Sequence, residues 1–119
     1  EIENAINSNN LVNESAVVGY RHPIKGQGIY AFVILELGFD LKEKTSITKS
    51  ISESVERSIG KIARPDLIQI TKGLPKTRSG KIMRRILRKI ANGEPKDIGD
   101  TSTLLDPSIV ESLVEGQKN

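Results

Sequence analysis

The sequence predicts an α+β domain, with helices packed on a small three-stranded sheet. Three observations point there. Residues 29–37 are apolar at nearly every position, the pattern of a central strand covered on both faces. Ile47, Ile51, Val55 and Ile59 recur at every fourth position, which is one face of a helix. The predicted elements follow the order α-β-β-α-β-α-α, and the 119 residues suffice for one domain with a modest core.

Each element has its own signal. Ile2, Ala5 and Ile6 mark the apolar face of a first helix, ended by the Asn-rich residues 7–10. Residues 15–20 read as a strand, and His22-Pro23 with Gly26-Gln27-Gly28 supply turn chemistry before the second strand. Residues 38–44 form a loop. Thr45 or Ser46 then caps the helix bearing the Ile47 stripe, and Gly60 is placed to end it. Residues 66–71 are a short third strand. Ile82, Met83, Ile86, Leu87 and Ile90 form a helical stripe opposite Arg84, Arg85, Arg88 and Lys89, stopped by Asn92-Gly93. Residues 93–119 read as an acidic tail with one short helix, Asp106 as its cap and Pro107 at its first position. The chain opens inside an amphipathic helix pattern without a Met, which suggests a piece cut from a longer protein.

Charge is distributed unevenly. Residues 1–60 hold 6 basic and 8 acidic groups, residues 61–90 hold 10 and 1, and residues 91–119 hold 2 and 6. The net +3 therefore hides one concentrated cationic segment, where a phosphate-bearing partner is to be sought. The absence of Cys excludes a disulfide framework and thiolate metal sites and suits a reducing compartment. The longest apolar run, residues 29–35, is too short to span a bilayer and no signal-peptide pattern opens the chain, so no membrane partner is expected.

The cationic segment begins on a stiff loop, because Pro75 fixes its own φ and extends Leu74. Ser79 is placed to cap the following helix, which would set Lys81 in its first turn, against the macrodipole. An anion there would meet the helix N-terminus, Lys81 and Lys76 or Arg78 together. From spacing alone Lys81 is equally a ligand or one more surface cation, and Arg84, Arg85, Arg88 and Lys89 read as a solvated face. A Walker-type loop is excluded, since six residues separate Gly73 from Gly80 where four are needed, and Ile82 stands where Ser or Thr must hold magnesium. Nucleic-acid binding is the rival reading on charge. The basic segment holds no aromatic residue for base stacking, so no nucleic acid is expected. His22 has no second His or Cys to share a metal with and is assigned only the end of a strand.

The run Leu74-Pro75-Lys76-Thr77-Arg78-Ser79-Gly80-Lys81-Ile82-Met83-Arg84-Arg85 resembles the C-terminal signature of adenylate-forming acyl-CoA synthetases, and among them the AMP-forming acetyl-CoA synthetases. The likeness extends through Ala16-Val17-Val18-Gly19, the stretch 24–31 and the tail Gly99-Asp100-Thr101-Ser102-Thr103-Leu104. The Pro-Lys-Thr-x-x-Gly-Lys core marks the superfamily, while Arg-Arg and Asp-Thr-Ser-Thr are narrower and favour short acyl substrates.

The resemblance implies the C-terminal lid domain, residues 1–119, of a cytoplasmic two-step ligase. Acetate and Mg-ATP would give acetyl-AMP and pyrophosphate, and coenzyme A would then displace AMP; propionate is the alternative acyl substrate. Lys81 matches the family's catalytic, nucleotide-contacting lysine, whose acetylation is a family switch involving an acetyltransferase and a deacetylase. A family arginine touching coenzyme A falls at Glu56 here, which leaves Arg57, about 100° further round the helix, as the candidate contact. The family also places Mg2+ at the end of the first helix, on oxygens matching Asn7, Asn9 and Val12, where Asn7 and Asn9 replace the usual apolar residue and His. The hinge, phosphate loop, acetate pocket and adenine site belong to the family's large N-terminal domain. The 119-residue piece is therefore expected to fold but not to catalyse.

Overall fold

β2 (Gly26–Leu35) is the centre of a three-stranded sheet, antiparallel to β1 (Val12–His22) and parallel to β3 (Leu67–Ile70). The structure, a computed structural model, describes residues 1–36, 44–94, 98–99 and 101–118. Helices cover both faces of the sheet, which explains why β2 is apolar without alternation. Tyr30 and Phe32 face one core, and Ala31 and Val33 the other.

The Ala31 face packs against α1 (Ile2–Asn7) and α2 (Lys44–Ser58) through Ile6, Ile47, Ile51 and Val55. The opposite face packs against α3 (Arg84–Ala91) and α4 (Ile109–Lys118) through Ile86, Leu87, Ile90 and Leu113. Among the described residues the element order is the expected one, with a 3-10 turn, Lys61–Ala63, added before β3.

Several boundaries differ from expectation for identifiable reasons. β1 is longer at both ends, and its register shifts between Val12 and Glu14, so two of its residues oppose one of β2. That bulge turns Val12 and Val17 toward the same core, although five positions separate them. Gly26-Gln27-Gly28 belongs to β2 rather than to the turn. The turn is Pro23-Ile24-Lys25, closed by Gly26 at φ +85. Ile59 lies past the end of α2 and is 39% exposed. Thr45 and Ser46 lie inside α2, so neither caps it; the loop expected before it and the end of the second strand at Leu37 fall mostly outside the described residues.

The tail is part of the core. Ile98, Leu104 and Leu113 are all buried against α3 and the sheet. The helix itself begins at Ile109, so Asp106 and Pro107 precede it rather than supplying its cap and first position; Asp106 Oδ1 accepts the Ser108 N–H at 3.1 Å in the turn leading into it. Gln69 ties α4 down from β3: its amide donates to the Leu113 carbonyl at 2.9 Å and its oxygen accepts the Tyr30 hydroxyl at 2.6 Å. Burial, with the Tyr20 phenol second, pushes the Tyr30 phenol up to about 12.

Candidate functional site

The basic loop is anchored before it turns. Leu74 and Pro75 are buried, with Leu74 in the α3–α4 core, so the chain leaves the core at a fixed point. Lys76 then bridges Ile82 in antiparallel register, and the Met83 N–H donates to the Pro75 carbonyl at 2.7 Å. Between them lies a tight turn. The Gly80 N–H donates to the Thr77 carbonyl at 2.9 Å, and the Thr77 N–H donates to the Lys81 carbonyl at 2.9 Å. Gly80 sits at φ +89, the left-handed conformation that lets a type I turn close with a bulge.

Lys81 is therefore on a hairpin, and α3 begins only at Arg84. The helix-dipole conflict expected at Lys81 falls instead on Arg84 and Arg85, and Met83 stands at the N-cap with no side-chain cap hydrogen bond. Both arginines are compensated. Arg84 Nη2 meets Glu3 Oε1 at 2.6 Å, while Arg85 Nη1 donates to the Ile98 carbonyl. Ser79 caps no helix; its hydroxyl pairs with Thr77 Oγ1 at 3.0 Å, and Thr77 Oγ1 in turn accepts the Lys81 N–H at 3.2 Å.

Side chains alternate across such a ladder, which puts Lys76 and Lys81 on opposite faces. Lys76 is spent on Glu14, Nζ to Oε1 at 2.7 Å. Lys81 is exposed, and its ammonium has no hydrogen bond or ion pair among the described residues. Of the anion site expected around Lys81, the helix N-terminus and Lys76 are therefore not at hand, and Arg78, exposed on the same turn, is the remaining cation. The face formed by the four basic residues of α3 also divides, since Arg84 and Arg85 are structural and Arg88 and Lys89 are not paired among the described residues.

The other candidates lie on the α1–α2 side. Arg57 lines a groove of about 450 Å³ with Asn9, Ser50, Ser54 and Ser58. Glu56 points elsewhere, 3.6 Å from Arg64 across a second groove beside β3. Asn9 brackets the two helices: its amide donates to the Ser50 and Ser54 hydroxyls at 3.0 Å each, and its Oδ1 accepts the Leu11 N–H. Asn7 Oδ1 accepts the Ser15 hydroxyl at 2.7 Å, and the Val12 side chain is in the core. The expected magnesium donors here are main-chain carbonyls at the helix end, of which the Asn9 carbonyl accepts the Val12 N–H at 3.0 Å. No hydrogen bond or ion pair among the described residues joins Asn7, Asn9, Val12 or Arg57 to Lys81.

Two groups stand out only in the structure. His22 Nδ1 accepts the N–H groups of Ile24 and Lys25 at 3.1 Å each, closing the first hairpin at the strand end assigned to it. Asp66 accepts the Ile29 N–H at 2.7 Å and Lys25 Nζ at 2.5 Å. Burial alone would raise the Asp66 carboxyl, but these hydrogen bonds and the Lys25 charge hold it below the usual aspartate range.

The sequence model of the AMP-binding enzyme C-terminal domain family matches residues 1–81. The chain belongs to that family. As an AMP-binding enzyme C-terminal domain it is 56% identical over all 119 residues to the acetyl-coenzyme A synthetases of Brucella anthropi and Brucella melitensis. It spans 18% of the length of each of these relatives. A crystal structure of Brucella canis acyl-CoA synthetase overlays with a TM-score of 0.69 at 38% identity, covering 74% of this chain and 16% of that one. Acetoacetyl-CoA synthetase from Streptomyces lividans overlays at 0.75 and covers 98% of this chain and 17% of its own, but at 19% identity it shows the fold alone. In this AMP-binding enzyme C-terminal domain, the chemistry open to the site is electrostatic: one exposed ammonium, delivered on a turn fixed at both ends.

Proposed function

We propose that this chain is the C-terminal lid domain, residues 1–119, of a cytoplasmic AMP-forming acetate–CoA ligase, and that Lys81 serves its adenylation half-reaction. One observation carries the role. Lys81 is an exposed cation without a counter-charge among the described residues, held on a turn whose flanks are pinned to the core. The whole-chain identity to acetyl-coenzyme A synthetases supports the substrate.

An acetate oxygen attacks the α-phosphorus of ATP, the α–β anhydride bond breaks, and pyrophosphate leaves with the displaced electron pair. Lys81 Nζ sits between the carboxylate and the α-phosphate and stabilises the charge spread over them, with no proton transfer. Mg2+ arrives with ATP as part of the substrate. In the second half-reaction the coenzyme A thiolate attacks the acetyl carbon and AMP leaves. The small domain turns between the halves against a large N-terminal domain, withdrawing Lys81. Arg57 is the candidate contact for coenzyme A. Acetylation of Lys81 by a lysine acetyltransferase, reversed by a deacetylase, would stop the first half by removing the cation.

The test is the half-reaction split in the full-length enzyme. Lys81→Ala is expected to lower acetate-dependent pyrophosphate exchange by on the order of 10²–10³-fold, the scale of losing one charge-stabilising donor. Conversion of supplied acetyl-AMP to acetyl-CoA should be nearly unchanged. Equal loss in both halves would overturn the assignment.

A further inference from the structure

The tail motif Thr101-Ser102-Thr103-Leu104 has no part in the reaction as described, and it lies beyond residues 1–81, where the family match ends. In the structure it runs along the outer edge of the hairpin that carries Lys81. Thr77 bridges Leu104 in antiparallel register, and the Leu105 N–H donates to the Lys76 carbonyl at 2.9 Å. On the inner edge, Lys76 bridges Ile82. Residues 76–77 are therefore the middle of a miniature three-stranded arrangement, with 81–82 on one side and 104–105 on the other.

The strap is itself anchored. Leu104 is 2% exposed in the α3–α4 core, and Arg85 holds the chain upstream through the Ile98 carbonyl. Leu105, by contrast, is 68% exposed, so its backbone N–H is what it contributes. An isolated two-stranded hairpin is marginal in water, and a third strand packed on a core removes that weakness.

We infer that residues 101–105 are a positioning strap for Lys81, holding its turn closed and in register for the adenylation half-reaction. This rests on the reading that Lys81 serves that half. The strap touches no reacting atom. It acts through the main chain of Lys76 and Thr77, and a displacement of about 1 Å at the ammonium is enough to cost up to about 100-fold.

Leu105→Pro deletes the N–H donated to Lys76 and removes no core contact, whereas Leu105→Ala keeps the N–H. In the full-length enzyme, Leu105→Pro is expected to lower acetate-dependent pyrophosphate exchange by about 10- to 100-fold. Conversion of acetyl-AMP to acetyl-CoA should stay within about twofold, and Leu105→Ala should match wild type in both halves. If Leu105→Pro does not fold, Arg85→Met takes its place, because it releases the Ile98 carbonyl and keeps an apolar stem; the same split is expected. A folded variant with wild-type exchange, or with both halves falling in parallel, overturns the strap while Lys81→Ala still lowers exchange by on the order of 10²–10³-fold. Exchange that survives Lys81→Ala overturns the reading of Lys81 and the strap's role with it.

Discussion

Gly80 separates the conformation of the Lys81 turn from everything else in the domain. Its φ is +89, and a Cβ built there would meet no atom within 4 Å. Replacing it with Ala therefore adds no clash and carries only the left-handed backbone penalty, about 1–2 kcal/mol. Gly26 at φ +85 is equally open, on the hairpin between β1 and β2, and serves as an internal control.

The penalty has two outlets. If the turn stays closed, the strain lowers global stability. At roughly 2.1 cal/mol/K per residue over 119 residues, that corresponds to a Tm loss of about 4–8 °C. If the turn opens, the strain is relieved locally and Lys81 loses its place, so adenylation falls by about 5- to 30-fold. The structure favours the second outlet. Arg78, Ser79, Gly80 and Lys81 are all exposed, so the tip of the turn has no core packing to hold it and is kept closed by the hydrogen bonds through Thr77, with the strap bracing the flank behind it.

We therefore expect Gly80→Ala to lose adenylation with a Tm change below about 4 °C, and Gly26→Ala to lower Tm while sparing both half-reactions. Gly80→Asn should recover most of the loss, since Asn tolerates the left-handed region. Pyrophosphate exchange, acetyl-AMP conversion and thermal melts of the three variants decide it. An Asn variant as impaired as the Ala variant would refute the conformational reasoning and point to a substrate pressed against Gly80.

Two further expectations concern the scaffold. Gln69→Leu leaves the Tyr30 hydroxyl and the Leu113 carbonyl buried without the partners they have at 2.6 and 2.9 Å; thermal or urea unfolding should show a loss of about 2–5 kcal/mol, smaller when Tyr30→Phe is added. Because the Asp66 carboxyl is held below its ordinary value of 3.8, its contribution is complete at neutral pH and is lost as pH falls from about 4 through the folded value. Asp66→Asn should flatten that part of an acid titration of stability and leave the profile above pH ~5 with the same shape.

The order of the elements could be read from the sequence because each carries a local signal: a four-residue apolar repeat, an unbroken apolar strand, or a glycine past a helix end. The start of α3 could not be read that way. Ile82 and Met83 fit the helical stripe, yet they reach the same core from extended backbone on the hairpin. Periodicity reports which residues are buried and not the conformation that buries them. The pairs that hold the site are long-range. Lys76–Glu14 spans 62 residues and Arg84–Glu3 spans 81, and a single sequence has no signal for either. In the acidic tail the charge pattern carries no sign of burial, yet Ile98, Leu104 and Leu113 enter the core.

Charge drew attention to residues 61–90, but charge alone does not select Lys81. Of the ten cations there, Lys76, Arg84 and Arg85 tie distant segments together through Glu14, Glu3 and the Ile98 carbonyl, and Arg64 lies 3.6 Å from Glu56 at the surface. Arg88 and Lys89 occupy the last turn of α3, where the macrodipole favours cations, so their positions need no ligand to explain them. Lys61 opens the 3-10 turn before β3, Lys72 lies in the bend after β3, and Arg78 projects from the tip of the turn. Lys81 alone follows a left-handed glycine on a hairpin closed by main-chain bonds, with a strap along the far edge. A single ammonium in water binds phosphate weakly. Its worth depends on an opposing surface that excludes solvent and fixes the anion, as the large domain of the proposed ligase would. On that reading the pinned turn matters more than the local excess of charge, because position is what one lysine contributes to a site shared between two domains.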